Sequence, residues 1–347
     1  MTKRIEYIDA MRGFTMFLVV VGHIIFSYRT PLPHTYCAIF NHFRMPLFFF
    51  VSGWVFYKHE RSWDKKTTVS FLKKKFFVQI VPTIVFLSVF LMVNHINIIS
   101  SILNPYKNGY WFTFVLFEYF LIYVIFFFFV IEKFDSFPND FCIILFSLII
   151  FCLSFSNRFI SYSRIVDDFF CIFSIQQWRY FFFFCMGTII KKYYVSFVSV
   201  TDSRYFMSIV ISLFLLLCII DSKLADPHPL FRGLMILALG ITGIIIVLTF
   251  FRKNQNSFLK EKRTGYVMQY VGRRTLDIYL LHHFIFPRHL EKICSYLSLD
   301  KNPLIEFSIT GVLAIFVIGI CLVLSNMLRL SPFLEQYLFG VTKKVKN

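Results

Sequence analysis

Apolar runs long enough to cross a bilayer recur from one end of this chain to the other, and they leave it few folds. A hydrocarbon core about 30 Å thick is crossed by a helix of roughly twenty predominantly apolar residues. Ten candidate runs begin near Phe14, Ala38, Phe71, Trp111, Phe141, Trp178, Tyr205, Phe231, Thr275 and Ile305, of which the first, fifth and sixth are short for a full crossing. The expected fold class is therefore all-α, a polytopic integral-membrane helical bundle of about ten transmembrane helices. No internal repeat, linker or separate soluble segment interrupts the pattern, so residues 1–347 read as a single integral-membrane domain.

Composition agrees with that reading. Apolar residues make up 57% of the chain, beyond the usual share in a soluble domain. The net charge of +17 would suit a nucleic-acid-binding protein if the basic residues gathered on a soluble face, but here they lie between the apolar runs. No nucleic-acid partner is expected; the partner surface is the lipid bilayer. With ten crossings, most of the 36 Lys and Arg fall on the side that holds both termini, in clusters such as 58–75 and 252–274. Cytoplasmic loops carry that excess, so both termini are expected to be cytoplasmic. Lys3 and Arg4 precede the first run, yet no small-x-small cleavage site follows it, and it reads as a retained helix. The eight cysteines form no CxxC pair and read as small apolar fillers.

Ionisable side chains are costly in hydrocarbon, so those inside apolar runs mark a bundle interior or a wet cavity. The opening segment RIEYIDAMRGFTMFLVVVGHIIFSY carries Arg12 where its apolar run begins and His23 within it. Eleven residues make about three helical turns, which sets the two side chains on nearly one face, roughly 16 Å apart along the axis. Alone, Arg12 would read as an interfacial residue and His23 as a helix-packing hydrogen bonder as readily as a functional group. Asp9, three residues before Arg12, has the spacing to cap the helix or to pair with the arginine.

Four segments together, YIDAMRGFTMFLVVVGH, FRMPLFFFVSGWVF, GRRTLDIYLLHH and LSPFLEQYLFG, resemble acyltransferase family 3 of membrane O-acyltransferases, in the family's order and spacing. The family signature in the first helix is a basic residue followed, after ten intervening residues, by histidine; Arg12 and His23 match it. The resemblance implies transfer of an acyl group, usually acetyl from acetyl-coenzyme A, to a hydroxyl of a sugar, polysaccharide, glycolipid or lipid-linked saccharide of the cell envelope. It implies a multi-pass protein of the bacterial inner membrane that uses acyl-CoA as donor substrate and keeps no permanent cofactor.

Under that resemblance Arg12 is the expected anchor for the donor phosphates and His23 the general base, since imidazole titrates near neutrality and guanidinium binds phosphate bidentately. Arg44, in the Phe-rich second run before Met45 and Pro46, is expected to face substrate, with snorkelling to the outer surface as its plain alternative. Asp9, Glu118 and His282 are further substrate-binding candidates, His282 falling at the family's YLLH position. Adjacent helical residues point about 100° apart, so His282 and His283 are not expected to share one inward face. With no HExxH or comparable spacing, no metal site is expected. Where the family commonly has arginine before the proline of the third run, this chain reads FLKKKFFVQIVP, leaving Lys74 and Lys75 as donor-binding candidates or as plain topology signals. The competing class is a proton-coupled transporter, which buried Asp, Glu and His would also suit; a catalytically inactive scaffold is a third.

Overall fold

The computed structural model describes residues 5–26, 36–59, 64–126, 128, 139–156, 163–224, 228–286 and 303–339. Several charges behind the topology expectation, Lys3, Arg4, Arg29, Arg61, Lys133, Arg158, Arg288, Lys292, Lys301, Lys343, Lys344 and Lys346, lie outside the described residues. In chain order the helices are α1 (Glu6–Phe26), α2 (Tyr36–Phe56), α3 (Lys65–Lys75), α4 (Val81–Val93), α5 (Ile98–Ile102), α6 (Trp111–Phe126), α7 (Asn139–Ser156), α8 (Arg164–Ile172), α9 (Phe181–Lys192), α10 (Tyr194–Thr201), α11 (Phe206–Lys223), α12 (Pro229–Lys253), α13 (Arg263–Arg273), α14 (Thr275–Ile285), α15 (Pro303–Leu328) and α16 (Pro332–Phe339). There is no strand among the described residues.

Five helical stretches among the described residues are long and apolar enough to cross a membrane: Glu6–Ile25, Lys65–Val93, Phe206–Lys223, Phe231–Lys253 and Phe307–Leu328. The protein is therefore an all-α, multi-pass membrane bundle. The first run is not short: its helix begins at Glu6, well before Phe14, and reaches Phe26. The third is one stretch in which a single π turn, Phe76–Ile80, joins α3 to α4 ahead of Pro82. Proline has no N–H to give the ladder, and a π turn is one way a helix accommodates the break. The runs expected at Trp111 and Phe141 form shorter apolar helices.

The described residues gather into two compact units, Met1–Ser52 with Tyr193–Ser325, and Gly53–Lys192 with Asn326–Asn347. In the first unit α1 is the central element: 72% of its apolar window is buried, against 11% for α11. A helix so enclosed presents its polar side chains to protein, whereas α11 turns an apolar surface outward, as lipid requires. Helix α13 is amphipathic and lies along the first half of α1. A Cβ at Gly13 would strike the Met268 carbonyl oxygen, and one at Gly272 the Asp9 carbonyl oxygen, so only glycine lets these backbones meet. The Glu6 carboxylate closes that interface, accepting from the Lys260 backbone N–H at 2.8 Å and from Gln269 Nε2 at 3.3 Å.

The second unit uses the phenylalanine-rich sequence as aromatic packing. Phe56, Phe71, Phe120, Tyr123 and Phe184 meet with ring centroids 5.0–6.2 Å apart, mostly edge to face, the arrangement ring quadrupoles favour. Lys191 closes the end of α2 by donating to the carbonyls of Trp54 at 3.0 Å and Tyr57 at 2.7 Å. A cation there also suits the negative end of the helix dipole.

Candidate active site

At its first turns α1 places Arg12 between two partners. One guanidinium nitrogen donates to Asp9 Oδ1 at 3.3 Å and the other to Thr275 Oγ1, also at 3.3 Å. The i,i+3 spacing thus makes a pair rather than a cap, and Asp9 is buried beneath it. The Arg12 side chain keeps 27% of its surface exposed, enough to meet a ligand while both neighbours fix its direction.

Three turns on, His23 meets two imidazoles from α14. Its ring centroid lies 5.0 Å from that of His282 and 5.1 Å from that of His283, and the two neighbours are 3.9 Å from each other. One ligand-capable nitrogen from each of the three lies within 4.8 Å of those of the other two. This corrects the expectation that His282 and His283 diverge. The 100° separation holds at Cβ, but rotation about χ1 and χ2 brings the rings back together against a third ring from another helix. His282 is fully enclosed, and its Nδ1 sits 3.0 Å from the Ile278 carbonyl oxygen. A carbonyl only accepts, so Nδ1 carries the proton and, in the neutral ring, Nε2 holds the lone pair; Nε2 is buried with no hydrogen-bond partner.

Arg44 reaches the same region. Its guanidinium fills the space that a Cβ at Gly22, the residue before His23, would take, so it is turned against α1. Glycine at 22 is what lets α2 deliver a cation to this face of α1. Asp277 is drawn elsewhere: its carboxylate accepts from Arg274 at 3.1 Å and from the Ser325 hydroxyl at 2.5 Å. Arg274 immediately precedes Thr275, so a second guanidinium stands close in sequence to the one that Thr275 holds.

The remaining expected residues belong to the second unit. Glu118, on α6, accepts from Trp178 Nε1 at 2.8 Å. Lys74 is exposed, whereas the Lys75 ammonium lies 4.8 Å from the Phe120 ring centroid, in cation–π range. Arg12, Asp9, His23, Arg44 and His282 are thus gathered in one unit, and Glu118, Lys74 and Lys75 in the other.

A family model described as an acyltransferase domain matches residues 5–326. The chain belongs to acyltransferase family 3. No curated protein and no solved structure matches it significantly. The match takes in both units and every expected site residue, and it ends before α16, so LSPFLEQYLFG lies outside it. Membership makes the chain a membrane acyltransferase and displaces the transporter reading.

Sequence reasoning missed three members of this acyltransferase's polar interior: His283, Arg274 and Ser325. His283 stands beside His282 in the sequence, but the 100° helical offset and the YLLH position both favour His282 there. Arg274 stands in the GRRTLDIYLLHH segment itself, where it read as loop charge. Ser325 gave no signal, since a serine in an apolar helix is common and its partner is 48 residues away.

Proposed function

We propose that this acyltransferase is an O-acetyltransferase that moves acetyl from acetyl-coenzyme A to a hydroxyl of a sugar, polysaccharide or glycolipid of the cell envelope, within the bacterial inner membrane. The observation that carries the reading is the two-ended face of α1: a partly exposed arginine held by Asp9 and Thr275 at one end, and His23 among imidazoles at the other.

In this reading Arg12 binds donor phosphate, and the pantetheine arm runs along α1 so that the thioester meets His23. His23 takes the acceptor hydroxyl proton as that oxygen bonds to the acyl carbon. The C–S bond then breaks, and the thiolate of coenzyme A receives the proton back from His23. Arg44 is assigned to the oxyanion that forms in between, which a nearby guanidinium stabilises; its packing against Gly22, beside His23, supports that role. For Lys74 and Lys75, in the second unit, basic charge is the support for a donor-binding role. Glu118, oriented by Trp178, is an acceptor-binding carboxylate; a carboxylate beside an indole suits a sugar.

Ten crossings with cytoplasmic termini belong to the same proposal. Helices α1 and α14 meet at Arg12–Thr275 and again at His23–His282, so they run in the same direction, as the first and ninth crossings of such a bundle do.

The test is label transfer from radiolabelled acetyl-coenzyme A to an envelope glycan and glycolipid extract, in membranes with wild-type protein or equally expressed His23→Ala. Label with wild type and its loss in the variant is expected, by about 10²–10⁴-fold for a general base. Equal labelling by both would remove His23 from the role.

A further inference from the structure

Three imidazoles from two helices, with one nitrogen of each mutually within 4.8 Å, are more than one general base requires. His282 carries the sharper information. Its Nδ1–H is committed to the Ile278 carbonyl, while Nε2 is buried and partnerless. A histidine that ligates a metal through one nitrogen characteristically donates from the other to a backbone carbonyl or carboxylate, which fixes its tautomer. Leaving a buried acceptor unmet is otherwise costly.

We propose that His23, His282 and His283 form a binding site for a borderline-soft divalent cation of the zinc class, and that occupation of this site silences the transferase. Three neutral imidazoles are the donor set that suits zinc, nickel and copper, whereas magnesium and calcium take oxygen ligands. Zinc–nitrogen bonds of about 2.0–2.1 Å in tetrahedral geometry put ligand nitrogens about 3.4 Å apart, so small side-chain rotations close the cluster around an ion. His23 and His283 are partly exposed, which gives a route of entry and leaves a fourth position for water. The Arg44 guanidinium near Gly22 opposes a dication, and this favours metals that bind imidazole strongly over those that bind by charge alone.

The consequence for catalysis is direct. A nitrogen lone pair given to a metal cannot accept the acceptor's proton, so His23 is base or ligand, not both. The binding half of this inference stands by itself; the inhibitory half rests on the function proposed above.

Full-length protein purified in detergent is stripped with chelator and dialysed against Zn2+ or Co2+. Bound metal is counted by mass spectrometry, and cobalt geometry is read from visible absorption. The expected result is about one equivalent per chain with a tetrahedral cobalt spectrum, lost in His282→Ala and in the less buried His283→Ala, both checked for native helicity. Absence of stoichiometric metal in wild type, or unchanged binding in both variants, overturns the site. In membranes, Zn2+ should stop acetyl transfer reversibly by chelation, and His283→Ala, measured against its own metal-free rate, should need at least an order of magnitude more Zn2+. Full turnover with metal bound overturns the inhibitory half. Metal binding in a protein that transfers no acyl group from any donor keeps the site and removes the function.

Discussion

At the scale of single residues, the site rests on polar groups that hold one another in place. Arg12 is aimed by Asp9 and Thr275, and Asp277 is enclosed with Arg274 and Ser325. Replacing Asp277 by Ala leaves the Ser325 hydroxyl and a largely enclosed guanidinium without their acceptor. A stability loss of about 1–3 kcal/mol is expected, tempered by the partial exposure of Arg274, measured as a lower midpoint in thermal unfolding of the detergent-solubilised protein. Arg12 and His23 were legible in the sequence because a fixed spacing on one helix is a local property. The convergence of His282 and His283 on His23 was not, because rotamers and a second helix decide it.

At the scale of elements, hydropathy located the five stretches that are long and apolar enough to cross but misjudged where the first begins. Helix α1 starts at Glu6, eight residues ahead of Phe14, because Glu6, Asp9 and Arg12 find partners in the protein and so continue the helix where an apolar scan stops. One of those partners, Gln269, belongs to α13, an amphipathic helix too polar to register as a crossing. The α1–α13 contact depends on Gly13, and Gly13→Leu should separate the pair. Its side chain meets the Met268 backbone, which cannot swing aside, so a loss of about 3 kcal/mol or more is expected, read as proteolytic release or lowered thermal stability. Gly22→Ala is different in kind, since there the obstructing group is the tip of the flexible Arg44 side chain.

An ion pair between Arg252, at the last turn of a crossing, and Asp202, outside the crossings, gives a pH signature. Hydrogen bonding and charge from Arg252 hold the Asp202 carboxyl below its ordinary value of 3.8. A carboxyl lowered in the folded state contributes stability that is complete above 3.8 and is lost as pH falls through the lowered value. Asp202→Asn should therefore flatten the acid limb of stability against pH and leave its neutral region nearly unchanged. A variant whose acid limb matches wild type would show the pair to be inert.

At the scale of the whole molecule, the all-helical membrane architecture and the family were legible in the sequence because both rest on long patterns: apolar runs, and segments in fixed order of which three fall within the family match. The division into two compact units was not, since the first unit combines residues 1–52 with residues 193–325 and no linker marks the change. The central claim is that one helix carries donor anchor and base at opposite ends, and its most direct test is steady-state kinetics in inside-out membrane vesicles, with acetyl-coenzyme A supplied to the exposed cytoplasmic face. Arg12→Gln should raise the donor KM by about tenfold or more, the worth of one lost charge-assisted contact, with kcat changed far less, while His23→Ala should collapse kcat with little change in donor KM. The reverse split, or an Arg12→Gln enzyme with unchanged donor KM, would contradict the account.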